Sequence, residues 1–162
     1  MAFNKKVAIV MGSKSDFDII KKATNVLESF GAEYKVHILS AHRTPDEVAQ
    51  LATNAVENGY AAIIAAAGKS AALPGTVAAY TTLPVIGLPI ISSFMDGLDS
   101  LLSMTQMPQG IPVATVGTNA AENAALLAIQ IIAVSDDNAK NALVKYKADM
   151  RKKVLHDNES IN

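Results

Sequence analysis

Two short polar segments, each following an apolar run, hold residue types that handle protons and anions: Gly12-Ser13-Lys14-Ser15-Asp16 and Ser40-Ala41-His42-Arg43-Thr44-Pro45. Imidazole titrates near neutrality and moves a proton in either direction, and guanidinium clamps a phosphate or carboxylate in two-pronged fashion. A histidine beside an arginine is therefore a better candidate for chemistry than either alone. Of the three histidines, His37 falls inside an apolar run and reads as structural, and His156 lies in a charged tail. His42 is left as the acid–base candidate. In the first segment, backbone amides and two hydroxyls precede a helical pattern, which suits a phosphate at a positive helix terminus. The same residues fit a plain capped helix with Ser15 or Asp16 as the cap, and the segment alone leaves both readings open.

A third segment, Ala67-Gly68-Lys69-Ser70, imitates the end of a nucleotide-binding P-loop. That motif needs a glycine five positions before Gly68, where Ile63 stands, so ATP hydrolysis by such a loop is unsupported. Gly12 opens no dinucleotide fingerprint, because Lys14 and Phe17 occupy the positions that require glycine. No histidine or carboxylate cluster has metal-ligand spacing. The absence of cysteine excludes disulfides, thiolate metal sites and a cysteine nucleophile.

These segments need a frame that presents them together. Apolar runs at Lys6 to Met11, Glu33 to Leu39, Ala61 to Ala66, Pro84 to Leu88 and Pro112 to Val116 read as strands. Between them, Phe17, Ile20, Ala23, Val26 and Leu27 recur at helical spacing, with Gly31 as the stop. Thr44-Pro45-Asp46-Glu47 opens a second helix with a hydroxyl at the cap, proline in the first position and acids in the first turn; Val48, Leu51, Ala52 and Ala55 carry its apolar stripe to Gly59. Continuously apolar strands are buried on both faces, so the expected fold class is α/β, a three-layer α/β/α arrangement around a parallel sheet of about five strands. Ligands of such sheets sit beyond the carboxyl ends of the strands, where all three polar segments fall.

The chain has 162 residues, which fits one ordinary domain. Half of the residues are hydrophobic and 18% are charged, which excludes intrinsic disorder. A formal net charge of −1 supplies no field to gather a nucleic acid polymer. The apolar run after Met-Ala-Phe-Asn-Lys-Lys is too short for a signal peptide, and the long uncharged stretch from Ser70 to Met95 is broken by prolines and glycines. The expectation is a cytoplasmic protein with no membrane partner.

From Ser70 to Ser135 the only charged residues are Asp96, Asp99 and Glu122, although at least three helices are expected there. Helices without a polar face must be covered, and in a chain this short a second copy is the simplest cover, so a homo-oligomer is expected. The alternative is an alanine-rich monomer surface. The composition then changes: six basic and five acidic residues fall in 136–162, with Ala142, Tyr146, Met150 and Val154 at four-residue spacing. This reads as a charged amphipathic helix reaching to about His156, either part of the domain formed by 1–135 or packed on a neighbouring subunit.

Taken together, Val-Ala-Ile-Val-Met-Gly-Ser-Lys-Ser-Asp at 7–16, Ser-Ala-His-Arg-Thr-Pro at 40–45, Leu-Pro-Gly at 73–75 and Asp-Ser-Leu-Leu-Ser followed by Gln-Met-Pro within 99–108 carry a specific resemblance. Over about residues 1–135 the chain resembles the 5-(carboxyamino)imidazole ribonucleotide mutase family of purine biosynthesis, the catalytic subunit family of phosphoribosylaminoimidazole carboxylase. The resemblance implies a flavodoxin-like subunit in a homo-octamer, without metal or organic cofactor, acting on a ribonucleotide through trapped carbon dioxide. It implies that His42 is the acid–base, that Ser13 and Arg43 belong to the phosphate site, and that Asp16 holds the ribose-phosphate portion. Ser15, Ser40, Ala41, Gly68 and Leu73 match other substrate-binding positions.

Two departures accompany the resemblance. Family members usually read Gly-Gly-Ala-Ala-His-Leu-Pro-Gly after the third strand, whereas this chain reads Gly68-Lys69-Ser70-Ala71-Ala72-Leu73-Pro74-Gly75, with Ala72 in place of a second histidine. The loop after the fifth strand, Val116 to Glu122, is about two residues shorter than usual. Ala-Gly-Lys-Ser also resembles the Ala-Gly-Arg-Ser of the related class that carboxylates aminoimidazole ribonucleotide directly, which makes Lys69 a candidate contact for the substrate carboxylate or carbon dioxide; its other reading is an exposed loop lysine. The mutase is the leading expectation. The alternatives are direct carboxylation, a diverged paralogue acting on another phosphorylated heterocycle, and a non-catalytic ribonucleotide-binding oligomer.

Overall fold

The computed structural model describes residues 3–161. Strands β1 (Lys6–Met11), β2 (Tyr34–Ile38), β3 (Tyr60–Gly68), β4 (Val85–Ile90) and β5 (Ala114–Thr115) form one sheet in the order β2-β1-β3-β4-β5. Every pairing is parallel. This is the flavodoxin-like order, which reverses direction beside β1 and opens a crevice at the carboxyl ends of β1 and β3.

Alternation along the strands divides the core in two. Val7, Ile9, Met11, Ile64, Ile86 and Leu88 pack on one face with α1 (Phe17–Ser29) and α5 (Ala121–Ala133). Ala8, Val10, Ile63 and Ala65 pack on the other with α2 (Pro45–Thr53) and α3 (Leu73–Tyr80), joined by Met104 of α4 (Leu98–Thr105). Both faces are apolar because both are covered, as the continuous runs in the sequence require. Truncating the fully buried Ile64 to alanine would cost about 2–5 kcal/mol.

Several boundaries differ from the sequence expectation for local reasons. The second helix ends at Thr53, not near Gly59: Asn54 caps it, and the chain then turns through Asn58 and Gly59, whose φ of +78 suits glycine. The fifth strand shrinks to two residues, because Pro112 at its expected start has no N–H for a ladder. Three helices, α3, α4 and α5, do fall in the stretch poor in charge.

Helix α6 (Asp137–Glu159) starts on a well-made cap. One Asp136 carboxylate oxygen accepts from the Ala139 amide and the other from the Asn4 amide, both at 3.0 Å. These backbone donors hold the Asp136 carboxyl below its ordinary value. Ala139 is buried and the Tyr146 ring meets the Phe30 ring at 5.3 Å, but every residue from 147 to 159 is exposed. The expected projection from the body is therefore seen, and the helix runs slightly beyond His156.

Candidate active site

Sheet register sets the site. Met11 of β1 lies opposite Ile38 of β2 and Ala66 of β3, and Gly68 lies opposite Ile90 of β4. The segments that follow these strands thus leave the sheet at one edge, around a cavity of about 710 Å³. That is within the roughly 300–1,000 Å³ usual for small-molecule sites. Its lining comes from Gly12, Ser13, Ser15 and Asp16 after β1, from Ser40 to Arg43 after β2, from Ala67 to Leu73 around the end of β3, and from Ile90 to Ser93 after β4. Every residue expected from sequence at the site, His42, Ser13, Ser15, Asp16, Ser40, Ala41, Arg43, Gly68, Lys69 and Leu73, lines this one cavity.

The first loop caps itself differently from the expectation. Asp16 stands at the cap position of α1, but the side-chain cap bond is made one turn earlier by Ser13, whose hydroxyl oxygen accepts from the Ser15 amide at 3.3 Å and starts a short 3-10 turn over Lys14–Asp16. Asp16 precedes α1 without a capping hydrogen bond, leaving its carboxylate toward the cavity. The Ser15 hydroxyl lies 2.9 Å from Ser13 Oγ and 3.2 Å from an Asp16 oxygen, so its single proton serves one of them at a time. Burial pushes the Asp16 carboxyl above its ordinary value, partly offset by the Ser15 hydroxyl and the Ser13 backbone. A partly desolvated carboxylate among hydroxyls is a good acceptor for a sugar hydroxyl.

The second loop is tied to the first. The Arg43 Nη2 donates to the Gly12 carbonyl at 2.9 Å and its Nε lies 3.4 Å from Ser40 Oγ, which also accepts from the Arg43 amide at 3.3 Å. Arg43 therefore acts first as a strut between the two loops, with guanidinium N–H groups left over for an anion. His42 stands at the turn of this second loop, exposed and lining the cavity. His37, by contrast, sits on β2 with Nε2 at 3.5 Å from the Tyr60 hydroxyl. Burial, then Lys35, hold its imidazole below the ordinary value, in keeping with a structural role.

At the end of β3, Gly68 packs closely on β4: a Cβ there would lie 3.3 Å from the Ile90 carbonyl, a tight contact. Lys69 follows with φ +56, a left-handed conformation uncommon for a lysine. Ala72, where the family usually has histidine, faces the cavity and accepts the Thr76 hydroxyl on its carbonyl at 3.0 Å as α3 begins. Sequence reading missed the fourth wall, Ile91, Ser92 and Ser93. It ended the strand at Leu88, whereas β4 runs to Ile90, and two serines just past a strand end are the signal that a later boundary would have exposed. Among the described residues no group of three or more histidines or carboxylates is placed to hold a metal ion.

The family model of AIR carboxylase matches residues 6–153. The N5-carboxyaminoimidazole ribonucleotide mutase of Pyrococcus abyssi is 52% identical over 147 residues, covering 91% of this chain and 84% of that protein. That of Methanocaldococcus jannaschii is 48% identical over 155 residues, 96% of each. The crystal structure of Treponema denticola PurE superposes with a TM-score of 0.89 at 32% identity, over 96% of this chain and 98% of that one. With the family match running over nearly all of the sheet, its helices and the cavity, the chain belongs to the AIR carboxylase family.

Proposed function

We propose that this chain is a purine-biosynthesis mutase that converts 5-(carboxyamino)imidazole ribonucleotide to its C4-carboxylated isomer, 5-amino-1-(5-phosphoribosyl)imidazole-4-carboxylate. The observation that carries the reading is the gathering of His42, the Ser13–Asp16 loop and Arg43 around one crevice, in a chain about half identical to proteins bearing the mutase name. Those relatives do not favour direct carboxylation or a purely binding role.

The chemistry follows from the groups present. Protonated His42 gives its proton to the exocyclic nitrogen as the N–C bond of the carbamate breaks, releasing carbon dioxide into the cavity. The electron-rich C4 attacks that carbon dioxide, and the now neutral imidazole removes the C4 proton. One group suffices because the proton delivered at nitrogen is recovered from carbon. Ser13, Ser15 and the free N–H groups of Arg43 hold the phosphate, Asp16 holds the ribose, and Ser40, Ala41, Gly68 and Leu73 shape the floor. Anchoring a remote phosphate fixes the heterocycle against His42 and reduces the entropy lost on reaching the transition state. Lys69 supplies a cation toward the migrating carboxylate, a task for which Ala72 has no polar atom.

Carbon dioxide is neutral and escapes an open cleft, so the site needs a cover. Apolar side chains stand exposed beside it: Phe94 is 63% and Met95 55% accessible. We propose that the protein works as a cytoplasmic homo-octamer in which 1–135 is the catalytic unit and the exposed part of 136–162 packs on a neighbouring copy. Among the described residues no helix is long and apolar enough to cross a membrane.

The test is ultraviolet-monitored conversion of freshly prepared 5-(carboxyamino)imidazole ribonucleotide by the purified protein and by His42→Asn. Rapid conversion that falls by about 10²- to 10⁴-fold in the variant is expected. A variant that keeps most of its activity would sink the assignment of His42. Product formed only from aminoimidazole ribonucleotide and bicarbonate would replace the mutase with a carboxylase.

A further inference from the structure

Thr44 opens the sequence Thr-Pro-Asp-Glu and by type belongs to the cap of α2, yet its hydroxyl makes no cap bond. The residue before a proline is pushed out of the helical region, and Thr44 has φ −137. The hydroxyl turns back to Ser40 instead. Its oxygen accepts from the Ser40 amide at 2.8 Å and its proton goes to the Ser40 carbonyl at 3.2 Å, while the Thr44 amide donates to that same carbonyl at 2.9 Å. The start of α2 does without the cap because Pro45 has no N–H to satisfy, and Asp46 and Glu47 place negative charge at the positive end of the helix.

These bonds close the five-residue turn 40–44 at its base, with His42 at the apex. No hydrogen bond to the His42 ring is seen among the described residues, so the turn's backbone is what fixes where the imidazole stands. Thr44 is half-buried and does not line the cavity, so it has no direct reach to a ligand. We infer that Thr44 is a positioning residue for His42, its hydroxyl bracing both polar atoms of the Ser40 backbone so that the turn presents the imidazole in one place. The inference rests on the mutase reading for what His42 does, and on the geometry alone for what Thr44 holds.

Thr44→Val keeps the shape and removes both side-chain hydrogen bonds; Thr44→Ser keeps them. Turnover should fall about ten- to a hundredfold in kcat for the valine variant, with KM little changed, and return to near the parent value in the serine variant. Amide hydrogen exchange of the ligand-free proteins reads the brace without any substrate. Exchange across residues 40–44 should quicken in Thr44→Val and match the parent in Thr44→Ser, with 47–53 of α2 unaltered. Unchanged exchange at 40–44 in Thr44→Val, or loosening confined to α2, would overturn the inference, as would a valine variant with full kcat in an active enzyme. A parent protein that turns nothing over while 40–44 responds as described would count against the mutase reading and leave the brace standing.

Discussion

On one side of the cavity, the loops after β1 and β2 hold each other. Arg43 reaches the Gly12 carbonyl, Ser40 takes two bonds from Arg43, and Ser13 caps its own turn. On the other side, the segment after β4 passes through three left-handed residues in a row, Met95, Asp96 and Gly97, at φ +50, +51 and +86. It exposes Ile91, Phe94, Met95 and Leu98, and one buried oxygen of Asp99 has no hydrogen-bond partner among the described residues. Strained backbone, exposed apolar side chains and an unpaired acceptor each raise the free energy of that wall, by about 1–3 kcal/mol for backbone strain or an unmade hydrogen bond. The first wall is tied together by its own hydrogen bonds; the second leaves apolar side chains and one acceptor without partners among the described residues. On the proposed reading, chemistry sits on the self-sufficient wall and closure falls to the apolar one, which a neighbouring copy would cover.

The sharpest way to break this contrast is to cut the strut. Arg43→Lys keeps a positive charge but not the planar fork, and should lower kcat/KM by about ten- to a hundredfold, measured in the same ultraviolet assay, because the loop tie and the proposed anion recognition both need that geometry. If activity survives, the first wall does not depend on its hydrogen bonds. The second wall is tested by Leu98→Glu. It should shift the assembly toward the single 17.0 kDa chain in light scattering and lower activity with it. A parent protein that is already monomeric would show that no second copy covers this wall.

A smaller effect, with two signs, is expected between the walls at Lys69. Lys69→Gly relieves the left-handed strain and should raise thermal stability by up to about 1 kcal/mol, while turnover falls for want of the cation. A variant with full activity would make Lys69 a loop residue only. The smallest effect is at His37. Its imidazole is held below the ordinary 6.5, so the neutral form is favoured in the fold. Its contribution is present above that value and lost as pH falls through the lower folded value. His37→Gln should therefore unfold at a temperature less sensitive to acidification from pH 7 to 5, with turnover unchanged.

The three-layer fold was legible because strands covered on both faces write continuous apolar runs, and the cavity because three of its four walls begin with polar residues just past such runs. What the sequence does not reveal is where a hydroxyl points. Thr44 has the composition of a cap and Ser15 or Asp16 the position of one, yet Thr44 braces Ser40 and Ser13 does the capping. A serine or threonine has several backbone partners within reach, and the choice depends on φ and ψ set by neighbours, here by Pro45. The wall after β4 was missed for a different reason. The Gly87, Leu88 and Pro89 sequence resembles a strand ending, while pairing with β3 carries it on to Ile90.

Asp136 joins the amide of residue 4 to that of residue 139 through one carboxylate. The loop it closes spans 132 residues, so its entropic cost is met only when nearly everything between is already ordered. Such a contact forms late in folding and acts as a latch on the finished structure. Its loss should leave the refolding rate almost untouched and quicken unfolding, so a side chain that ties the segment leading into β1 to the start of α6 bears on how long the protein stays folded rather than on how fast it gets there.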